Sequence, residues 1–284
     1  MIDTLINKIG VILNYTNMDE PKINALVNLG QLKVIEKAYD DLISPPAKNV
    51  GIALSTILDI GNTALWPIKW LNERTRIYFQ TNLKKYEERL NQISEVNVTE
   101  VPTEISMPIL QRFTYVSNEE LSNAFVKLLA SASSIETISI AHPGFIYTID
   151  RLSPDEARIL TYLKDKNDIP SIDVKYYEDP KKKIFSHIAL NVTGIESKTQ
   201  LDNPQNINLY FDNLISLGLI KLADYYHEDL ENNYKELVDT LKEKIQLHQK
   251  KGIEDKQFER QIKFDKKMYL VTNYGLLFLE ACID

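Results

Sequence analysis

The side chains able to do chemistry are few and scattered. Histidine occurs four times, at His142, His187, His227 and His248, with no spacing of the kind zinc ligands need. Cys282 is the single cysteine, so no cysteine cluster and no internal disulfide can form. Its place in an apolar C-terminal segment reads as a small core residue. Nine scattered glycines build no phosphate-cradling loop, and a Gly-x-Ser-x-Gly elbow is absent. No catalytic residue, metal site or cofactor is therefore assigned.

Four groups of residues invite a chemical reading and a plainer one. His142, ahead of Pro143, has the make-up of a ligand or general base, but a capping or core histidine explains it more simply. Asn72-Glu73-Arg74-Thr75-Arg76 has anion-binding groups, and it also reads as a solvated helix start with local Glu–Arg pairing. Trp66 and Trp70, flanking Pro67, form either an aromatic surface or core packing, with packing favoured. Asp155-Glu156 falls in a helix's first turn, where the dipole alone accounts for carboxylates.

Two stretches point to contacts instead of catalysis. From Lys256 to Lys267 there are five basic residues, Lys256, Arg260, Lys263, Lys266 and Lys267, against two acidic ones. They have the composition to follow a phosphate backbone, or to guard a strand edge against aggregation. By contrast the helix read over 205–217 carries Asp212 and no Lys or Arg, which makes a poor reading head for DNA. Between them, Leu230, Tyr234, Leu237, Leu241, Ile245 and His248 recur at intervals of three and four. That seam lies on an otherwise polar helix, so it needs a partner: the chain's own body or a second subunit in a homodimer. The charges, acidic early and basic late, favour an antiparallel pair in the second case.

The elements that would position these residues can be read from periodicity. The chain has 284 residues, 44% of them hydrophobic and 26% charged, and few glycines, which favours helices. Its net charge of −7 speaks against general nucleic-acid binding. The N-terminus lacks a basic signal-peptide region and predicts an amphipathic helix. The Val50–Leu71 segment is the most apolar, but Ser55, Asp59, Asn62, Thr63 and Lys69 make a polar stripe, and the run falls short of the ~20 residues a bilayer span needs. A buried helix is expected, so membrane contact is disfavoured and a cytoplasmic protein predicted. Further helices are predicted over 72–93, with Ile77, Tyr78, Leu83, Tyr86 and Leu90 inward; over 104–113, interrupted near Pro108; after a capping box of Ser117 and Glu120; from His142-Pro143 to Arg151; and over 154–166.

The C-terminal half has a different texture. After the helix at 154–166 come extended or irregular pieces, 173–180 and 185–192. Then follow a helix stopped by Gly218, a short strand, a long excursion, a strand beginning at Tyr269 and a terminal helix. That order predicts a winged helix with an insertion at about 223–267, and a core of Leu160, Leu214, Leu217, Leu219, Ile220 and Leu276. The predicted fold class is mainly α with a small β component: N-terminal helices over 1–43, a helical module over 44–150, and a winged-helix-like domain over 151–284.

Several blocks together resemble the Abi-alpha family, a bacterial abortive-infection domain. They are NTALWPIKWLNERTRIYFQTNLKKYEERL from Asn62, VPTEISMPILQRFTYVSNEELSNAFVKLLASAS from Val101, AHPGFIYTIDRLSPDEARIL from Ala141, LYFDNLISLGLI from Leu209 and VTNYGLLFLEAC from Val271. The resemblance covers roughly 44–222 plus the C-terminus, and the insertion after Leu222 does not map onto the family pattern. It carries over no catalytic residues. What it implies is a role in antiviral defence through protein contacts, with a host or phage protein as partner. The alternatives are a nucleic-acid-binding regulator using the basic wing, a membrane-active effector using residues 50–71, and, least favoured, a hydrolase of unfamiliar type.

Overall fold

Residues 73–179, 181, 184–223, 228–249 and 262–284 are described by a computed structural model. The helices expected over 1–43, the apolar 50–71 segment, Trp66 and Trp70 lie outside the described residues. Those described form eight α-helices and one four-stranded antiparallel sheet, so the chain is mainly α with a small β component. They fall into two compact units: one runs up to Ser117 and includes Leu129–Ala141, the other takes Asn118–Leu128 and His142–Asp284.

In the first unit, α1 (Glu73–Leu90) buries Phe79, Leu83, Tyr86 and Leu90, spaced by four, three and four residues along one face. Ile77, expected inward, is exposed instead, because it sits about 200° around the helix from Phe79. Asn82 on the buried face donates to the carbonyls of Phe113 and Val116 at 3.1 and 3.2 Å. The Tyr86 hydroxyl and Ser133 Oγ share a hydrogen bond of 2.7 Å, and burial raises the phenol's pKa far above its usual range. The next helix, α2 (Thr103–Phe113), is not interrupted at Pro108. Ile105, Ile109, Leu110 and Phe113 are all buried along it. At about 1.5–3 kcal/mol each, their burial offsets the roughly 3 kcal/mol an internal proline costs.

Helix α3 (Glu119–Ala132) starts in the second unit and ends in the first. Its cap is Asn118, whose Oδ1 accepts from the Leu121 N–H at 3.0 Å. The expected box with Ser117 does not fit the side chain of Glu120, which turns away to Arg158. After α4 (Gly144–Asp150), α5 (Pro154–Lys166) opens on a complete capping box: Ser153 Oγ accepts from the Glu156 N–H at 3.3 Å, and Glu156 Oε2 accepts from the Ser153 N–H at 2.6 Å. It ends on Asn167 at φ 62°, a left-handed exit straight into the sheet.

The remaining elements are β1 (Asp168–Asp179), β2 (Ile184–Val192), α6 (Ile207–Ser216), β3 (Ile220–Ala223), α7 (Glu231–Gln249), β4 (Ile262–Val271) and α8 (Asn273–Cys282). The strand order is β2-β1-β4-β3. The two pieces read as extended or irregular are thus a long hairpin, and β1 also pairs with β4 from Asp168↔Leu270 to Tyr176↔Ile262. Ile172 and Val174 meet Tyr234 of α7 on one face. Across the sheet, Tyr269 stacks on Phe211 of α6 with centroids 4.4 Å apart and planes 9° apart.

Two glycines fix the α6–β3–α8 corner. Gly218, at φ 72°, takes the left-handed exit from α6. Gly275 packs so tightly that a Cβ there would stand 2.1 Å from the Leu219 carbonyl oxygen. Leu160, Leu214, Leu219 and Ile220 are buried as expected, but Leu217 is half-buried and Leu276 exposed. The inward face of α8 is Gly275, Phe278, Leu279 and Cys282, and Leu276 falls beside it.

Candidate functional site

Helix α6 is buried on one face and exposed on the other. Ile207, Tyr210, Phe211 and Leu214 are buried, while Asn208, Leu209, Asp212, Ile215 and Ser216 are exposed. That outer face is apolar and acidic: Leu209 is 63% and Ile215 38% exposed, and no Lys or Arg stands on the helix. Exposed apolar side chains grouped on one helix face make that face a candidate contact surface.

The buried face of α6 is tied to the first turn of α5. Asp155, 3% exposed, accepts from the Tyr210 hydroxyl at 2.7 Å, the Asp202 N–H at 2.8 Å, the Asn203 N–H at 2.9 Å and Arg158 Nη1 at 3.1 Å. Burial by itself would raise its pKa, but these donors and the Arg158 charge hold the carboxyl below the usual range. Burial and Asp155 together push the Tyr210 phenol up to about 12. Arg158 also reaches Glu120 at 2.6 Å and the Gln200 carbonyl at 2.8 Å. Asn213 donates to Glu156 Oε1 at 2.8 Å and to the Arg151 carbonyl at 2.9 Å. Asp155 and Glu156 thus accept from the structure around them. Their donors hold the 200–203 loop and α6 against α5.

The basic residues of β4 are placed separately. Lys266 is bound by both oxygens of Glu231 at 2.7 and 2.6 Å, and lies over the Tyr234 ring at 5.4 Å. Lys267 pairs with the buried Asp173, and Lys263 lies over Tyr177 at 4.8 Å. Lys256 and Arg260 lie outside the described residues. The register puts Lys263 and Lys267 on one face and Lys266 on the other, so the structure does not gather the three into one patch.

The seam of α7 packs on the sheet of its own chain. Tyr234 is fully buried and donates to the Lys267 carbonyl at 2.6 Å. Leu230, Leu237, Val238 and Leu241 surround it against Ile172 and Val174. Ile245 lies on the same helix. Of the remaining residues singled out from the sequence, His142 accepts the Gly144 N–H on Nδ1 at 3.0 Å, the capping use expected. Arg74 folds back on Tyr78, donating at 2.8 Å. His187 is exposed, His227 lies outside the described residues, and Cys282 is buried with its thiol pKa raised by burial. Among the described residues no group of His, Cys, Asp and Glu is placed to hold a metal ion. None of the described helices is long and apolar enough to cross a membrane.

Arg158, Tyr210 and Asn213, whose bonds lock the 200–203 loop and α6 to α5, were not singled out from the sequence. The Asp155–Arg158 spacing of three was a visible signal, whereas their partners near 200 and 120 were not.

With this geometry in hand, the chain belongs to the abortive infection alpha family, whose model matches residues 78–282. No curated protein matches it. A solved structure with detectable likeness is an uncharacterized protein from the hydrocarbon-degrading marine bacterium Alcanivorax borkumensis SK2. It is 16% identical, covers 52% of this chain and 94% of its own, and superposes with a TM-score of 0.31, too low to define a shared fold.

Proposed function

We propose that the chain is a non-enzymatic interaction protein of abortive infection, and that the outer face of α6 docks a host or phage protein. The family supplies the association with abortive infection. The observation that carries the docking assignment is the exposed Leu209–Asp212–Ile215 face on a helix without a basic residue, anchored to α5 by Tyr210 and Asn213. A phosphate backbone calls for Lys and Arg at that position; an apolar face with one carboxylate suits a protein surface.

The topology supports a winged-helix reading of the second unit. α5, β1, α6, β3, β4 and α8 follow in winged-helix order, with β4 between β1 and β3. In that frame β2 is an added edge strand, α7 is an insertion between the wing strands, and α6 takes the place of the recognition helix. A nucleic-acid role through the wing has less support, since Lys266 and Lys267 each hold a carboxylate of the chain. Affinity purification from phage-infected and uninfected cells, with wild type beside a Leu209→Asp, Ile215→Asp variant, tests the proposal. A partner protein retained by wild type and lost by the variant is expected. A partner retained equally by both, or salt-sensitive nucleic-acid retention in a filter assay, would overturn it.

A further inference from the structure

The segment that ends β2 carries two left-handed residues, Asn191 at φ 52° and Gly194 at φ 67°, with the buried Thr193 between them. It touches α7 on one side and α6 on the other. A Cβ added to Gly194 would stand 3.0 Å from Cδ2 of Leu237, so α7 packs directly on this segment. From Asn191, Nδ2 donates to Asn208 Oδ1 at 2.7 Å, and Oδ1 accepts from the Tyr269 hydroxyl. Asn208 is the exposed neighbour of Leu209 on α6, and Tyr269 is the ring stacked on Phe211. The Asn191 backbone is fixed as well, its N–H donating to Oδ1 of the buried Asp173 at 3.0 Å. Asp173 pairs with Lys267, whose carbonyl accepts from the Tyr234 hydroxyl of α7 at 2.6 Å. Two sets of contacts therefore run from α7 through this segment to the first turn of α6, one by way of Leu237 and one by way of Tyr234.

We propose that the 191–194 segment is a joint through which the inserted helix α7 sets the first turn of α6, so that α7 controls how Leu209 is presented. As regulation of the α6 face this rests on the docking reading; the mechanical coupling does not. The two ends of α6 are held by different parts of the fold. Asn213 ties the later turns to α5, whereas Asn208 hangs on Asn191. Loosening α7 frees the Asn208 end and leaves the Asn213 end in place. Backbone held in a left-handed shape by contacts on both sides shifts when one side is lost. By linkage, a protein seated on Leu209 would in turn stabilise α7 on the sheet.

Hydrogen exchange of the full chain, with no partner present, tests it. Leu237→Ala and the milder Tyr234→Phe should each speed exchange of the Phe211 and Asp212 amides at least about threefold, leaving the Leu217 amide unchanged. Asn191→Gly accepts the same left-handed backbone but lacks the bridge to Asn208. Combined with either α7 variant, it should abolish that response. Exchange at 211 and 212 unmoved by both α7 variants, a response undiminished by Asn191→Gly, or acceleration spread evenly over the second unit would each overturn the proposal. A failure of partner capture in cells would strike the docking reading instead and leave the joint standing, because no partner enters this measurement.

Discussion

The Tyr210 hydroxyl donates to Oδ2 of Asp155 at 2.7 Å, tying the buried face of α6 to the first turn of α5. Because Asp155 also takes two backbone N–H groups from the 200–203 loop, one carboxylate sets the position of the helix whose outer face is exposed. Tyr210→Phe removes a hydrogen bond to a charged acceptor and should cost about 1.5–3 kcal/mol. Asp155→Ala should cost more, about 3–5 kcal/mol, since it removes four hydrogen bonds to one buried carboxylate. Urea unfolding checks both. Losses under about 0.5 kcal/mol would mean the lock does not position α6.

The same pair sets a pH dependence at both extremes. The folded pKa of Asp155 lies below its unfolded value of about 3.9, so its contribution is present above that pH and is lost as pH falls through the lower folded value. Tyr210 and Tyr269 are both raised to about 12, chiefly by burial. Their contribution is whole below about pH 10 and disappears as pH rises towards 12. Tyr210→Phe and Tyr269→Phe should therefore flatten the alkaline limb of a stability–pH curve, and Asp155→Asn the acid limb. Unchanged limbs would contradict this.

Gly275→Ala should be among the most damaging single-atom additions to the second unit. The new methyl would collide with the Leu219 backbone at the corner of β3 and α8, which cannot move as a flexible side chain can. A loss of at least about 2 kcal/mol is expected in thermal or denaturant unfolding. Gly144→Ala, where the nearest atoms belong to the exposed His142 ring, should be milder.

Much of this arrangement was legible in the sequence because local chemistry decided it. Ser153-Pro154-Asp155-Glu156 announced α5, and Gly218 marked the end of α6. Ser117 misled because the Glu120 carboxylate had a better partner in Arg158, 38 residues away, and no local pattern reports such a partner. The β1–β2 hairpin was read only as extended because Asp173 and Lys175, polar residues in a strand, find their ion partners on β4. Of the site, the lack of basic residues on α6 was plain from the start. Which of its residues face outward was fixed only by the contacts of Tyr210, Phe211 and Asn213.

The insertion offers an independent check on packing. Tyr234→Phe removes the bond to the Lys267 carbonyl and should cost about 1 kcal/mol, while Leu237→Ala opens the α7–sheet contact and should cost about 2–5 kcal/mol. Hydrogen exchange should show faster opening of α7 and of β1 around Ile172 in Leu237→Ala. Unaltered protection there would mean that α7 is not held by this face.

Site-specific photo-cross-linking in phage-infected cells tests the docking role of α6 most directly. A benzophenone side chain replacing Leu209 should give a discrete protein adduct during infection. One replacing Val96, an exposed residue of the first unit, should not. Asp155→Ala in the Leu209-labelled chain should weaken the adduct by freeing α6 from α5. Equal adducts at 209 and 96, or a nucleic-acid adduct in place of a protein at 209, would contradict protein docking on this helix.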